Sequence, residues 1–275
     1  YKNFRIHKKN SIMRTFSANL NVIIKACEKA SKSLIRDYGE IEKLQVSIKG
    51  PSDFVSSADK KVEENLINEL SKARPDYSIL SEEIGEIKNK NTECKWIIDP
   101  IDGTLNFLNG IPHFAISVAL EKNNQIICGV VFDPIKNEMF LAEKDQGAYL
   151  NNQKITVSKR KKIRESLILT GGPSFSEKNR SEVFKEYIKI SEHTLSPLRK
   201  MGSASLDIAY VAAGRADGYF QRNLKYWDIA AGIILVKEAG GLISDYCGKA
   251  NFISEKKIIA SNSSINAKLI ELLSK

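Results

Sequence analysis

In this 275-residue chain, the residues whose types and spacing suggest chemistry lie at 96–107, WIIDPIDGTLNF. The apolar run Trp96-Ile97-Ile98 reads as the end of a buried strand. Two carboxylates follow, Asp99 and Asp102, separated by Pro100 and Ile101. Pro100 has no N–H for a ladder bond and pushes Asp99 toward extended backbone, so the strand is expected to stop there. Asp102-Gly103 is a turn pair, and Thr104 places a hydroxyl directly after it. Two acids and a hydroxyl leaving the end of a stiff strand offer closely spaced oxygen ligands, which hard divalent cations such as Mg²⁺ prefer.

Other stretches carry acids or backbone donors that could join them. Ser81-Glu82-Glu83 ends the short apolar run at 77–80, so a carboxylate pair again sits where a strand terminates. Asp59 follows Asp53-Phe54-Val55-Ser56 and falls in the expected first turn of a helix carrying Val62, Leu66, Leu70 and Ala73 on one face, where an acid suits the dipole. Asp228 follows Tyr226-Trp227 and precedes an apolar helix at 229–239, a position that an N-cap also explains. Gly202-Ser203-Ala204 opens a helix through Ala213 and could present backbone N–H groups to an anion.

Gathered together, Glu82, Asp99, Asp102 and Asp228 would repel one another strongly without cations. A two-metal carboxylate site suits phosphate-monoester hydrolysis, in which one cation activates water and the other stabilises the departing alkoxide. Positioning and electrostatics then carry most of the rate, and no covalent nucleophile is needed. The rival aspartyl-nucleophile motif, D-x-D-x-T, fails on spacing, because aligning it to Asp102 and Thr104 puts Pro100 at the nucleophile.

The elements that must position these groups follow from periodicity. Leu20, Ile23, Ile24, Cys27, Ala30, Leu34, Ile35 and Tyr38 fall at helical spacing, with Gly39 as the expected stop. A polar loop over 49–52 precedes the second helix, and residues 85–94 read as an exposed, mobile loop. Segments 113–121, 126–133 and 138–143 alternate apolar and polar between turn signals, as an antiparallel meander does. Asp145-Gln146-Gly147 and Asn151-Asn152 then lead to a boundary near 155. Beyond it strands are expected at 166–170, 198–201, 217–221, 242–246 and 257–261. Helices are expected at 177–190 and 265–273, besides those opening at 202 and 229. The expected organisation is a disordered extension at 1–13, an α+β half at 14–155 and an α/β half at 156–275.

Composition bounds the class. No run of 18 apolar residues is present, so no membrane span is expected, and no secretory signal is visible. Cys27, Cys94, Cys128 and Cys247 lie far apart without a C-x-x-C, as in a reduced cytoplasmic protein. Three histidines (His7, His113 and His193) argue against a His-rich transition-metal centre. The net charge is +9; Lys2, Arg5, Lys8 and Lys9 account for four of the nine, and Lys159-Arg160-Lys161-Lys162 with Arg164 forms a second cluster. That cluster reads first as a solvated loop, while also suiting RNA or a phosphorylated partner.

Four blocks together resemble the inositol monophosphatase family of Mg²⁺-dependent, lithium-sensitive phosphatases, including its bacterial SuhB-type members. They are Asp53-Phe54-Val55-Ser56 with Asp59, Ser81-Glu82-Glu83, residues 96–107, and Trp227-Asp228-Ile229-Ala230-Ala231-Gly232 with Gly240-Gly241. The resemblance runs over residues 20–273 and implies a layered αβαβα sandwich, usually a homodimer, with two to three Mg²⁺ ions. It implies Glu82, Asp99 and the Ile101 carbonyl on one metal, and Asp99, Asp102 and Asp228 on the second. Glu82 would also serve a weaker third site, with Thr104 and Asp59 positioning the attacking water. Gly103, Thr104 and the backbone of Gly202, Ser203 and Ala204 would face the substrate phosphate and hydroxyls, beside Asp102 and Asp228. At Gln221 the chain departs from the family's usual Glu: an amide offers one oxygen and two donors where a carboxylate accepts twice. The implied substrate is a small phosphorylated polyol or sugar, inositol 1-phosphate first. Fructose bisphosphate, histidinol phosphate and 3′-phosphonucleotides are alternatives handled by relatives. SuhB-type members are also associated with transcription antitermination on ribosomal RNA, a contact with RNA or transcription machinery that need not use the phosphatase site.

Overall fold

The structure, a computed structural model, describes residues 16–44, 51–172 and 180–274. The expected extension at 1–13, Lys49 and Gly50 of the expected loop, and residues 177–179 of the expected helix lie outside these.

Helix α1 (Ala18–Leu44) forms because Leu20, Ile23, Cys27, Ala30 and Leu34 recur on one face, all of them fully buried. It runs through Gly39 instead of stopping there; burial of Ile41 in the next turn offsets the roughly 1 kcal/mol that an interior glycine costs relative to alanine. Helix α2 (Pro51–Ala73) begins at its proline, which needs no N–H partner in a first turn. Asp53-Phe54-Val55-Ser56 is therefore helical, and Asp59 sits more than two turns inside, so dipole capping does not account for it.

Strands β1 (Tyr77–Ser81), β2 (Gly85–Ile87) and β3 (Asn91–Asp102) follow. The expected mobile loop at 85–94 is instead the edge strand β2 plus the start of β3. Backbone pairing of Ile79 with Ile87 and of Ser81 with Gly85 orders it without any apolar alternation. Pro100 does not end β3: the strand continues to Asp102, with its register against the next strand shifting between Asp99 and Asp102. A proline is tolerated there because a bulge needs no ladder donor. A short helix, α3 (Thr104–Leu108), leads into the expected meander, β4 (Ala115–Lys122), β5 (Gln125–Asp133) and β6 (Glu138–Glu143). The expected boundary stretch adds two more strands, β7 (Gly147–Leu150) and β8 (Gln153–Ile155), turned at Asp145 and Asn151, both with positive φ. The eight strands form one sheet in the order β2-β1-β3-β4-β5-β6-β7-β8.

The remaining elements are β9 (Ile168–Thr170), α4 (Arg180–Ser191), α5 (Ala204–Ala212), β10 (Gly218–Arg222), α6 (Tyr226–Glu238), β11 (Leu242–Ser244), α7 (Phe252–Glu255), β12 (Lys257–Ser261) and α8 (Ser263–Leu273). The strand expected at 198–201 is a single bridge between Leu169 and Arg199. The four strands of this part order as β11-β12-β10-β9. Alternation along each strand then builds five layers. Trp96 and Ile98 face α1 and α2, whereas Ile97 faces α5 and α6. Tyr219, Ile258 and Ala260 meet α5 and α6 from the other side, while Phe220 and Ile259 pack outward against α4 and α8. The result is the expected αβαβα sandwich, with α5 and α6 as the central layer.

That central layer is tight because the residues at its crossings are small. A Cβ at Gly129 of β5 would fall 3.0 Å from the Ala231 Cα, and one at Gly232 of α6 would fall 2.6 Å from Ile208 Cγ2 of α5. Gly232→Val is therefore expected to lower stability by about 1–3 kcal/mol through overpacking. Denaturant midpoints measure this, and the added substitution Ile208→Ala should restore part of the loss.

Candidate active site

The only parallel pairing in the large sheet among the described residues, β1 with β3, sets Ser81 opposite Ile98. The residues that follow in each strand direction, Glu82 just past β1 and Asp99 within β3, therefore lie side by side. Asp99 shares the face of Ile97, toward α5 and α6, which delivers its carboxylate to the seam between the two sheets. The bulge at Pro100 then lets Asp102 reach across that seam. Its Oδ2 accepts from Ser203 Oγ and from Ser205 N, each at 2.6 Å. Ser203 is the N-cap of α5, so one hydroxyl both caps that helix and donates to Asp102.

Gly103 turns the chain with φ 96° and ψ 33°, and a Cβ there would lie 3.1 Å from His113 O and 3.2 Å from Gly202 O. Asn106 pins these loops together, donating from Nδ2 to His113 O at 2.7 Å and Met201 O at 2.8 Å. Thr104 opens α3 and its Oγ1 donates to Ile101 O at 2.9 Å. Helix α6 begins earlier than expected, at Tyr226, so Asp228 is not its N-cap. It lies inside the first turn and reaches back, its Oδ2 accepting from Lys225 N at 2.7 Å.

These segments enclose a cavity of about 260 Å³. It is lined by Glu82, Asp99, Ile101, Asp102, Gly103, Thr104, Gly202, Ser203, Ala204, Gln221 and Asp228, all named in the sequence reading, and also by Gly171, Gly172, Asp207 and Leu224, which were not. Asp59 is not in the lining; it is buried behind Glu82 and Glu83. Glu63 was missed altogether. It is 1 % exposed, and its Oε1 accepts from Ser81 Oγ, from Glu83 N at 3.1 Å and from Ile84 N at 3.4 Å, so it shapes the turn that presents Glu82. The signal was its place one turn after Asp59 on the same helical face.

Burial is the main cause of raised carboxylate pKa values here, and neighbouring acids come second. Asp99 is held well above the usual range by burial and then by Asp102, Glu82, Asp228 and Asp59. Asp59 is pushed up to about 8 by burial and then by Glu83, Glu82 and Glu63. Asp228 rises to about 7 through burial and then Asp102. Glu82 is raised by burial, Glu83 and Asp102. Asp102 is also raised by burial, against which the donors from Ser203 and Ser205 work. Asp207 is raised well above the usual range by burial and then Asp102.

Among the described residues no three His, Cys, Asp or Glu side chains are drawn into a ready-made ligand cluster. The donor set nevertheless fits Mg²⁺. Its donors are oxygens on rigid backbone, three of them from the end of β3, and Asp99 Oδ1 is buried with no hydrogen-bond partner in the protein. Glu82, Asp99, Asp102 and Asp228, with the Ile101 carbonyl, are the residues that could hold it. A cation among them would offset the repulsion that raises their pKa values.

A sequence profile for the inositol monophosphatase family matches residues 17–275. A protein of Rhizobium meliloti named inositol-1-monophosphatase is 47 % identical over 257 residues, covering 94 % of this chain and 96 % of that protein. A Pasteurella multocida protein named Nus factor SuhB is 38 % identical over 242 residues, covering 88 % and 90 %. Among solved structures, the extragenic suppressor protein suhB of Bartonella henselae superposes with a TM-score of 0.87 at 46 % identity, covering 94 % of this chain and 99 % of that one. The inositol monophosphatase of Anabaena superposes with a TM-score of 0.82 at 33 % identity, covering 93 % and 94 %. A match over nearly the whole length, together with the five-layer fold and the carboxylate cavity, places the chain in the inositol monophosphatase family.

Proposed function

We propose that the protein is a Mg²⁺-dependent phosphomonoester hydrolase acting on a small phosphorylated polyol or sugar, with inositol 1-phosphate as the reference substrate. The observation that carries this reading is the convergence of Glu82, Asp99, Asp102 and Asp228 on one cavity whose innermost carboxylate, Asp99, keeps an unpartnered buried oxygen. Two to three Mg²⁺ ions, when bound, would neutralise phosphoryl charge and acidify the attacking water. The chain's own residues position the reactants. Thr104 Oγ1 donates its proton to Ile101 O, so its lone pairs are left to accept a hydrogen bond from the attacking water and orient it. Asp59, buried near Glu82 and Glu83, has the role of polarising the attacking water with Thr104 in this reading. Ser205 N is already bonded to Asp102, so Gly103, Thr104 and the Gly202-Ser203-Ala204 segment are the backbone left to face the phosphate. The cytoplasmic, homodimeric and lithium-sensitive character implied by the resemblance belongs to the same reading. No helix among the described residues is long and apolar enough to cross a membrane.

A second reading, binding to RNA or transcription machinery, is supported by the relatives named Nus factor SuhB and by the basic stretch at 159–164. Arg160 pairs with Asp217 at 3.1 Å and Lys162 with Glu165 at 3.5 Å, leaving Lys159, Lys161 and Arg164 exposed for such a partner. The carboxylate cavity has no use in that role, and this favours hydrolysis as the primary activity.

Asp99→Asn is expected to lower Mg²⁺-dependent turnover of inositol 1-phosphate by about 10³-fold or more while leaving the circular-dichroism melt in place. Wild-type turnover of this variant at saturating Mg²⁺ would rule out the carboxylate-metal reading. Glu63 generates a separate expectation. Glu63→Ala strips the acceptor from Ser81 Oγ and Glu83 N and should cost about 1–3 kcal/mol, because buried donors are left unpaired. Glu63→Gln retains an acceptor and should recover most of it. Thermal melts with and without Mg²⁺ measure both, and Mg²⁺ should stabilise the alanine variant least.

A further inference from the structure

On one side of the cavity, an amide N–H group and an ammonium make no hydrogen bond or ion pair with any described residue. Strand β10 places Tyr219 and Gln221 on the same face, toward the central helices. Tyr219 is fully buried, and its phenol donates to Gln221 Oε1 at 2.5 Å. A buried phenol proton requires an acceptor, so this bond orients the amide. Oε1 is committed to Tyr219, and Nε2 is the group left over. Gln221 lines the cavity, and its Nε2 donates to no described residue.

The Gly171-Gly172 pair makes the arrangement possible. A Cβ at Gly171 would overlap the Gln221 amide, and one at Gly172 would fall 2.9 Å from Lys200 Nζ. Lys200 lies over the Tyr187 ring at 5.4 Å, and the Tyr187 hydroxyl in turn donates to Gly171 O. Lys200 forms no ion pair with any described carboxylate. An amide donor and an ammonium thus converge on two glycines that line the cavity.

Resting on the hydrolase reading above and deepening it, we propose that this side recognises an anionic substituent on the leaving alcohol. The preferred substrates are then sugar or polyol phosphates with a second acid group, either a carboxylate or another phosphate. The reaction stays a hydrolysis: water adds to phosphorus, the ester P–O bond breaks, the alcohol oxygen takes a proton and inorganic phosphate leaves. A carboxylate at 221 would keep one oxygen on Tyr219 and turn the other to the cavity, where it would accept from hydroxyls and repel an anion. The amide reverses that polarity. Tyr219 is a positioning residue in this scheme, and Lys200 supplies the charge.

The test compares kcat/KM for inositol 1-phosphate, fructose 1,6-bisphosphate and 6-phosphogluconate, in wild type, Gln221→Glu, Tyr219→Phe and Lys200→Met. The wild type should favour at least one anion-bearing substrate over inositol 1-phosphate by about tenfold, the scale of one charge-assisted hydrogen bond. The better of the two identifies phosphate or carboxylate as the group read. Gln221→Glu should invert the preference, lowering KM for inositol 1-phosphate. Tyr219→Phe should relax it, and exposed Lys200→Met should lose more on the anionic substrates than on inositol 1-phosphate. A wild-type preference for inositol 1-phosphate, or equal effects of each variant on all substrates, would overturn the proposal. Turnover of p-nitrophenyl phosphate with Mg²⁺ reports the hydrolase reading separately. If it persists while discrimination fails, only the present proposal falls; no turnover of any substrate overturns both.

Discussion

Repulsion among closely placed carboxylates is the constraint on which the rest of this structure depends. Glu82, Asp99, Asp102 and Asp228 converge on one cavity, ranging from exposed Glu82 through half-buried Asp102 and Asp228 to buried Asp99, with buried Asp59 and Asp207 nearby, and the partial loss of water weakens the screening between them. A loose scaffold would relieve that repulsion by splaying apart. Here three braced elements hold the acids, β3 supplying two of them. Glu82 sits on a turn clasped by Glu63, Asp99 lies inside a central strand, Asp102 follows a proline bulge and Asp228 is in the first turn of a buried helix. The scaffold holds the charges close, and on the proposed reading a cation among them would offset their repulsion.

The bracing is concentrated where the two sheets meet. Ser203 and Ser205 grip Asp102 from the central layer, and Asn106 ties the loop after β3 to the loop before α5. A Cβ at Gly103 would crowd His113 O and Gly202 O, and one at Gly202 would crowd the Asn106 amide, so neither position has room for a side chain. Helix α6 descends from Asp228 into a crossing that only small residues permit, at Gly129, Ala231 and Gly232. The same tight layer that stabilises the sandwich therefore sets the height of one carboxylate above the cavity floor.

Much of the site was legible in the sequence because its central part is local. Asp99, Asp102 and Thr104 are neighbours on the chain, and Glu82 follows a strand of recognisable pattern. The five-layer architecture came from the family resemblance, and alternation alone yielded the meander. What escaped was set by tertiary contact. Strand β2 exists through backbone pairing that polar side chains do not announce, and β3 crosses its proline because a bulge tolerates one. Glu63 already stood one turn from Asp59 in the expected helix, but its role comes from Ser81, Glu83 and Ile84, which meet it only in the folded chain. Gly171, Gly172 and Asp207 carry no local signal, since their meaning lies in what approaches them across the fold. The Gln221 amide could be recognised as unusual, but which way it points depends on Tyr219.

The clasp between Asp102 and Ser203 spans 101 residues, and Asp228 lies further along still. A chain emerging from the ribosome can pair β3 with β4 and bury Trp96 long before either partner has been made. Through that interval Asp99 and Asp102 stand at the rim of a half-built sheet, without their clamp and without the fourth acid. Closing so long a loop is entropically costly and is repaid only by contacts made at the end. On the proposed metal reading, cation capture would therefore wait for synthesis through Asp228: a polypeptide stopped before that residue would lack the fourth acid and the clamp on Asp102.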